Sequence, residues 1–147
     1  MIKELLDEIE ADEGRVMHVY MCPAGKPTFG VGHMIRAGDP EADLQLGARV
    51  SARRVQWVFE NDVADCLRDC RSLFDNFDEL PEEVQKILGN MMFNLGLPRL
   101  SKFVKLRAAV LDRNWKEAAH QMEDSLWFRQ LPERSARLIE RMQGAGA

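Results

Sequence analysis

Hydrophobic positions recur at two different periods along this chain. Ile2, Leu5, Leu6 and Ile9 fall on one side of a 3.6-residue spiral, which predicts a helix over residues 2 to 11. The period then changes. Val16, His18 and Tyr20 alternate with their neighbours, and Cys22-Pro23-Ala24-Gly25 supplies turn residues. Thr28-Phe29-Gly30-Val31-Gly32-His33 reads as a returning, glycine-punctuated strand, so residues 15 to 33 predict a short hairpin or small sheet. Gly38, Asp39, Pro40 and Gly47 mark residues 36 to 50 as a surface loop with room for one helical turn. Helical steps return at Val55, Val58, Phe59, Cys66, Leu67, Cys70 and Phe74, behind Ser51 as an N-cap. That helix would run about twenty residues, enough to bridge two lobes. Pro81 opens the next helix and Gly96 closes it. A further helix is expected over about 100 to 112. Asn114-Trp115-Lys116-Glu117 has capping-box spacing, with Asn in the place of Ser or Thr. The last helices begin near Ser125 and Pro132 and end at Gly144.

The pattern amounts to a small mixed lobe at about 12–50, a connecting helix at about 51–73, and an all-helical lobe at about 74–147 that also takes in helix 2–11. With 147 residues the chain suits one domain, or two small lobes sharing a helix, and buries enough core to fold without disulfides or metal. A cleft between lobes is where ligands usually bind.

Charge and cysteine usage narrow the function classes. A net charge of −4 argues against a general nucleic-acid binder. No apolar run reaches the length of a membrane span, and the acidic amphipathic start does not read as a signal peptide. The expectation is a monomer made in a cytoplasm, with help needed to leave it. Three cysteines, Cys22, Cys66 and Cys70, do not form a disulfide framework. Cys66 and Cys70 could offer two thiolates to a metal, but no nearby Cys or His completes a zinc site, and they read as small apolar residues on a helix face. No metal or cofactor is implied.

The candidate chemistry lies in residues 13 to 28. Glu13 closes the first helix, Cys22 follows after eight intervening residues, and Thr28 after five more. A carboxylic acid facing a second nucleophilic or basic group is the minimum equipment for cutting a glycosidic bond.

Asp12-Glu13-Gly14, Tyr20 and Thr28-Phe29-Gly30-Val31-Gly32-His33 together resemble the active-site signature of phage-type lysozymes (endolysins). Asn90-Met91-Met92-Phe93-Asn94-Leu95-Gly96 is similar to that family's central core helix. Trp115-Lys116-Glu117-Ala118-Ala119 and Trp127-Phe128-Arg129-Gln130-Leu131-Pro132-Glu133-Arg134 resemble its closing helices, so the likeness covers about residues 5 to 142. The loop after His33 looks shorter than in the T-even type. The resemblance implies a mainly α, lysozyme-like α+β fold. It also implies an endo-acting muramidase that hydrolyses the β-1,4 bond between N-acetylmuramic acid and N-acetylglucosamine of peptidoglycan. Host lysis would follow, with a holin opening the inner membrane so that an enzyme made in the cytoplasm reaches the periplasm.

By the same resemblance Glu13 is the general acid, with Arg134 as its ion-pair partner. Burial would help the acid hold its proton and the cation would oppose this. Cys22 stands where the best-known members carry Asp, and other members carry Cys. An ordinary thiol is a few per cent ionised at neutral pH, and a nearby Glu13 carboxylate is expected to suppress ionisation further. Cys22 then acts either as a nucleophile or base through its ionised fraction, or as a polarisable neighbour to the transition state. Oxidation to a sulfinic acid would mimic Asp. Thr28 is the implied water positioner, which fits inversion; a thioglycosyl intermediate with retention is the competitor. Gly30 and Gly32 fit a close approach by ligand or backbone. His33 is implied to pair with Asp62, and Asp12 with Arg137, as structural ion pairs. Met34 and Phe93 match apolar substrate positions, and Leu106 and Gln121 match two positions that are polar in the T-even type. Trp57, Trp115 and Trp127 could stack on sugars, although their helical spacing favours the core.

Two rivals remain. One is a lysozyme-like wall-binding or phage-particle protein with catalysis weakened or lost, for which Cys22 is the support. The other is a helical regulatory or DNA-binding protein, which the acidic charge opposes.

Overall fold

The computed structural model describes residues 1–146. It is mainly α-helical, with one small antiparallel sheet near the N-terminus. The elements run α1 (Ile2–Glu13), β1 (Val16–Met21), β2 (Pro27–Gly30), β3 (His33–Met34), α2 (Ala52–Leu73), α3 (Glu82–Leu95), α4 (Leu97–Leu100), α5 (Val104–Leu111), α6 (Trp115–Glu123), α7 (Leu126–Gln130) and α8 (Pro132–Gln143). Short 3-10 turns occupy Pro40–Asp43 and Phe77–Glu79.

Two compact units emerge, residues 2–64 and residues 65–146 with Met1, and the boundary falls inside α2. In the first unit α1 ends on the candidate acid, Glu13. The Gly14 amide closes back on the Glu10 carbonyl at 2.8 Å, and β1 starts two residues later. Arg15 binds both Glu10 and Gln56, at 2.7 and 2.8 Å, which ties the end of α1 to the start of α2. Helix α1 therefore groups with the sheet and not, as its pattern predicts, with the helical lobe.

The sheet order is β1-β2-β3. Tyr20 opposes Thr28 across β1 and β2, and Phe29 opposes His33 across β2 and β3. The expected single strand from Thr28 to His33 is thus corrected: the chain reverses inside it. Gly30 and Gly32 adopt φ of +67° and +64°, which side-chain-bearing residues avoid. A Cβ on Gly30 would also lie 3.2 Å from Val55 of α2. Gly30 ends β2 and Gly32 lies in the tight turn that follows it. Val19, Phe29, Val50, Val55 and Val58 form the core between the sheet and α2.

Helix α2 begins where Ser51 predicts, its hydroxyl accepting the Arg54 amide at 3.1 Å. In the second unit α6 packs on α5 and α8, while α3 and α7 also contact α8. The helix expected over 100 to 112 starts later, as α5 at Val104, because the chain breaks at Ser101–Phe103 after the separate helix α4. Asn114 caps α6 by accepting the Glu117 amide at 3.2 Å, and Ser125 caps α7 through Phe128.

Candidate active site

Glu13, Tyr20, Cys22 and Thr28 all belong to the first compact unit. Glu13 is the last residue of α1 and is half-buried. Tyr20 and Cys22 are two residues apart at the end of β1, and Thr28 opens the return strand opposite Tyr20. The turn between them is built by main-chain hydrogen bonds. The Gly25 amide donates to the Cys22 carbonyl at 2.8 Å, and the Cys22 amide donates to the Lys26 carbonyl at 3.0 Å. The Thr28 hydroxyl donates to that same Lys26 carbonyl at 3.0 Å. Thr28 is 2% exposed.

This turn surrounds the Cys22 sulfur with donors. The Lys26 amide favours the thiolate most and the Thr28 hydroxyl next; partial burial opposes them, and the amides of Ala24 and Cys22 add to them. The balance holds the thiol below its ordinary range, which reverses the expectation that a neighbouring carboxylate would leave it more protonated. The reason is local: several fixed dipoles converge on the sulfur, and sequence spacing does not reveal them.

Tyr20 links the two halves of the cluster. Its phenol is held above its usual pKa by burial first, then by the charges of Cys22 and of Glu13. Both groups therefore lie within electrostatic reach of one ring. The resemblance includes Tyr20 in its signature and implies no role for it. Its two-residue spacing from Cys22 was the available signal, since alternate strand residues share a face.

His33 is buried between two carboxylates. Its Nδ1 lies 2.7 Å from Asp62 and its Nε2 2.8 Å from Asp39. Burial alone would discharge the ring; the hydrogen bonds to Asp62 and Asp39 outweigh it and raise the pKa. Asp39, which the sequence reading missed, also accepts the Arg36 amide at 2.9 Å. Burial works against its charge, but that amide and His33 hold its carboxyl below the usual range. A second ionic anchor was also missed: buried Glu41 takes a bidentate contact from Arg54 at 2.8 and 3.0 Å. No spacing rule pairs these residues, because the loop conformation creates both contacts.

Asp12 is half-buried in the last turn of α1, and Met34 is 50% exposed on β3. Four other candidates belong to the second unit, together with Arg137, an exposed residue of α8. Arg134 of α8 is buried and donates twice to Asn90 Oδ1, at 2.7 and 3.0 Å. Phe93 is half-buried on α3. Leu106 and Gln121 meet at one cavity of about 520 Å³, together with Leu95, Phe103 and Trp127. Leu106 is only 1% exposed, so it can serve there as floor rather than rim.

The tryptophans divide. Trp127 is buried and donates to Asn94 at 2.7 Å, as core spacing suggests. Trp57 departs from that reading at 56% exposed, with the Arg54 guanidinium 5.2 Å from its ring centre. Among the described residues no group of three or more His, Cys, Asp or Glu side chains is placed to hold a metal ion.

Comparison with known proteins extends the sequence pattern. The family model for phage lysozyme matches residues 10–143. Probable T4-type lysozyme 2 of Dictyostelium discoideum is 27% identical over 95% of this chain and 93% of its own length. Probable T4-type lysozyme 1 of the same organism is 24% identical over the same shares. The pre-baseplate central spike protein Gp5 of Enterobacteria phage T4 is 28% identical over 91% of this chain, which spans about 26% of that protein.

Proposed function

The chain belongs to the phage lysozyme family, and on that footing we propose that it is a muramidase acting on the β-1,4 bond between N-acetylmuramic acid and N-acetylglucosamine. The supporting observation is that Glu13 and Cys22 both act on the Tyr20 phenol, with Thr28 opposite Tyr20 across β1 and β2. Glu13 passes its proton to the glycosidic oxygen as the bond to the leaving sugar lengthens. Positive charge grows on the remaining sugar ring. The Cys22 sulfur, whose ionisation its turn favours, stabilises that charge in its thiolate form. Water completes hydrolysis and the acid is restored.

The biological setting belongs to the same proposal. An enzyme of this kind serves as an endolysin, made in the host cytoplasm as a monomer and admitted to the periplasm by a holin. The likeness to a baseplate spike protein favours a second setting, in which the same chemistry is carried by a phage particle.

Purified sacculi digested by the protein, then reduced with borohydride and analysed by mass spectrometry, test the chemistry. New reduced ends on muramic acid are expected, and Glu13→Gln should release almost none. Reduced glucosamine ends would assign a different bond specificity. Binding to sacculi without new reducing ends would support the inactive wall-binding rival.

A further inference from the structure

We propose that the outer face of α2 carries a second carbohydrate-binding site, in which Trp57 is the platform for an uncharged β-1,4-linked N-acetylhexosamine strand. The choice of a glycan as ligand rests on the muramidase reading. The site itself lies apart from Glu13, Cys22 and Thr28.

Helix α2 buries Val55, Val58, Phe59 and Val63, and Val55 and Val58 pack against the sheet. At about 100° per residue, Arg53, Trp57, Glu60, Asn61 and Ala64 fall on the opposite side of the helix. All five are exposed. Trp57 is 56% exposed, so a large apolar ring stands in water on a face that is otherwise polar or small.

That ring is held in place. The Arg54 guanidinium lies over it, 5.2 Å from its centre. Arg54 is in turn fixed by its bidentate contact at 2.8 and 3.0 Å with Glu41, which is 5% exposed. Asn61 donates to the Trp57 carbonyl at 2.7 Å, which sets the amide beside the ring's own turn of helix. An aromatic platform oriented before binding loses little freedom when a ligand arrives.

Charge selects the ligand. Arg53 and Glu60 carry opposite signs on this face, and Glu41 neutralises Arg54, so the ring's surroundings have no net charge. An anionic polymer or an anionic membrane gains nothing there. A protein hot spot would set further apolar side chains beside the ring, and its neighbours on α2 are polar or small. An uncharged sugar fits both features. The C–H face of a pyranose stacks on the indole, while its hydroxyl and acetamide groups meet the Arg53 donors and the acceptors of Glu60 and Asn61. One platform binds weakly alone, but a wall presents many sugars, and a second contact then raises retention through effective concentration.

The test uses the full-length Glu13→Gln protein, so that the glycan stays intact, with chitotetraose as the soluble probe. Brief hydroxyl-radical labelling is read at each tryptophan by mass spectrometry. Saturating chitotetraose should lower labelling of Trp57 by about threefold, because a bound ligand covers most of the ring it stacks on. Trp127, at 2% exposed, should label weakly with and without the sugar. In sacculus sedimentation, Trp57→Ala in the same background should bind about tenfold more weakly, and Trp57→Phe, which keeps a ring, within about threefold of its parent. Both substitutions alter an exposed side chain and leave the buried face of α2 untouched. Trp57 labelling that chitotetraose leaves unchanged, or unaltered sacculus binding by Trp57→Ala, would overturn the proposal. Protection of Trp57 in a protein whose wild-type form releases no reducing ends would instead overturn the muramidase reading alone.

Discussion

Two thiols in this chain occupy opposite surroundings. Cys22 sits half-buried in a turn whose amides and hydroxyl converge on its sulfur, and its ionisation is favoured. Cys70 sits fully buried on α2, and burial, reinforced by the charges of Cys66 and Asp69, pushes its thiol far up. The residue type is identical. What differs is whether the surroundings present dipoles or hydrocarbon, and that decides whether the thiol's ionisation is favoured or opposed.

The contrast can be broken most severely through its proton donor. Glu13→Gln should lower sacculus hydrolysis by about 10²- to 10⁴-fold, whereas Cys70→Ala should leave the rate per folded molecule within about twofold. A comparable loss in both would erase the distinction between site and core. Next in size is the difference in thiol reactivity. At neutral pH Cys22 should alkylate at least about 100-fold faster than Cys70, and the two rates should converge in denaturant.

Stability offers a smaller test with the opposite sign. Cys70→Ser buries a hydroxyl in apolar surroundings and should cost about 1–3 kcal/mol in urea unfolding. Cys22→Ser should leave the unfolding midpoint almost unmoved. The smallest expected effect concerns His33. Its folded pKa is raised above the ordinary 6.5, so its stabilisation is complete below that value and is lost as pH rises through the folded pKa. Asp39 acts in the other direction: its contribution holds above about 3.8 and disappears as pH falls through its lowered pKa. Melting temperature measured against pH should therefore decline on the alkaline side, and Asp39→Asn should flatten that decline. An unchanged alkaline limb in Asp39→Asn would count against the His33–Asp39 contact.

Helices were legible because their signals are local. Ser51, Asn114 and Ser125 each cap the helix that their spacing predicts, and Gly96 ends α3. The break between α4 and α5 was less visible, since residues 97 to 112 hold no glycine and proline only at Pro98. Gly30 does close strand β2, but Gly32 lies in the turn beyond it, and the positive φ of both belongs to a reversal toward β3 that the alternation does not show. In the site, Glu13, Cys22 and Thr28 stood out by type and spacing. The direction of the Cys22 ionisation did not, because main-chain amides carry no mark in a sequence. Asp39 and Glu41 were hidden for a related reason: their partners are fixed by how the loop folds onto His33 and Arg54.

The central claim is that an anion at position 22 works with the Glu13 acid. The pH profile of sacculus hydrolysis for wild type, Cys22→Asp and Cys22→Ser tests it most directly. Cys22→Asp should stay active, with an acidic limb at lower pH than the wild type because a carboxyl ionises well below a thiol. Cys22→Ser, which cannot form an anion in this range, should fall at least about tenfold at every pH above the wild type's acidic limb. A serine variant that matches the wild type across the whole profile would contradict the account.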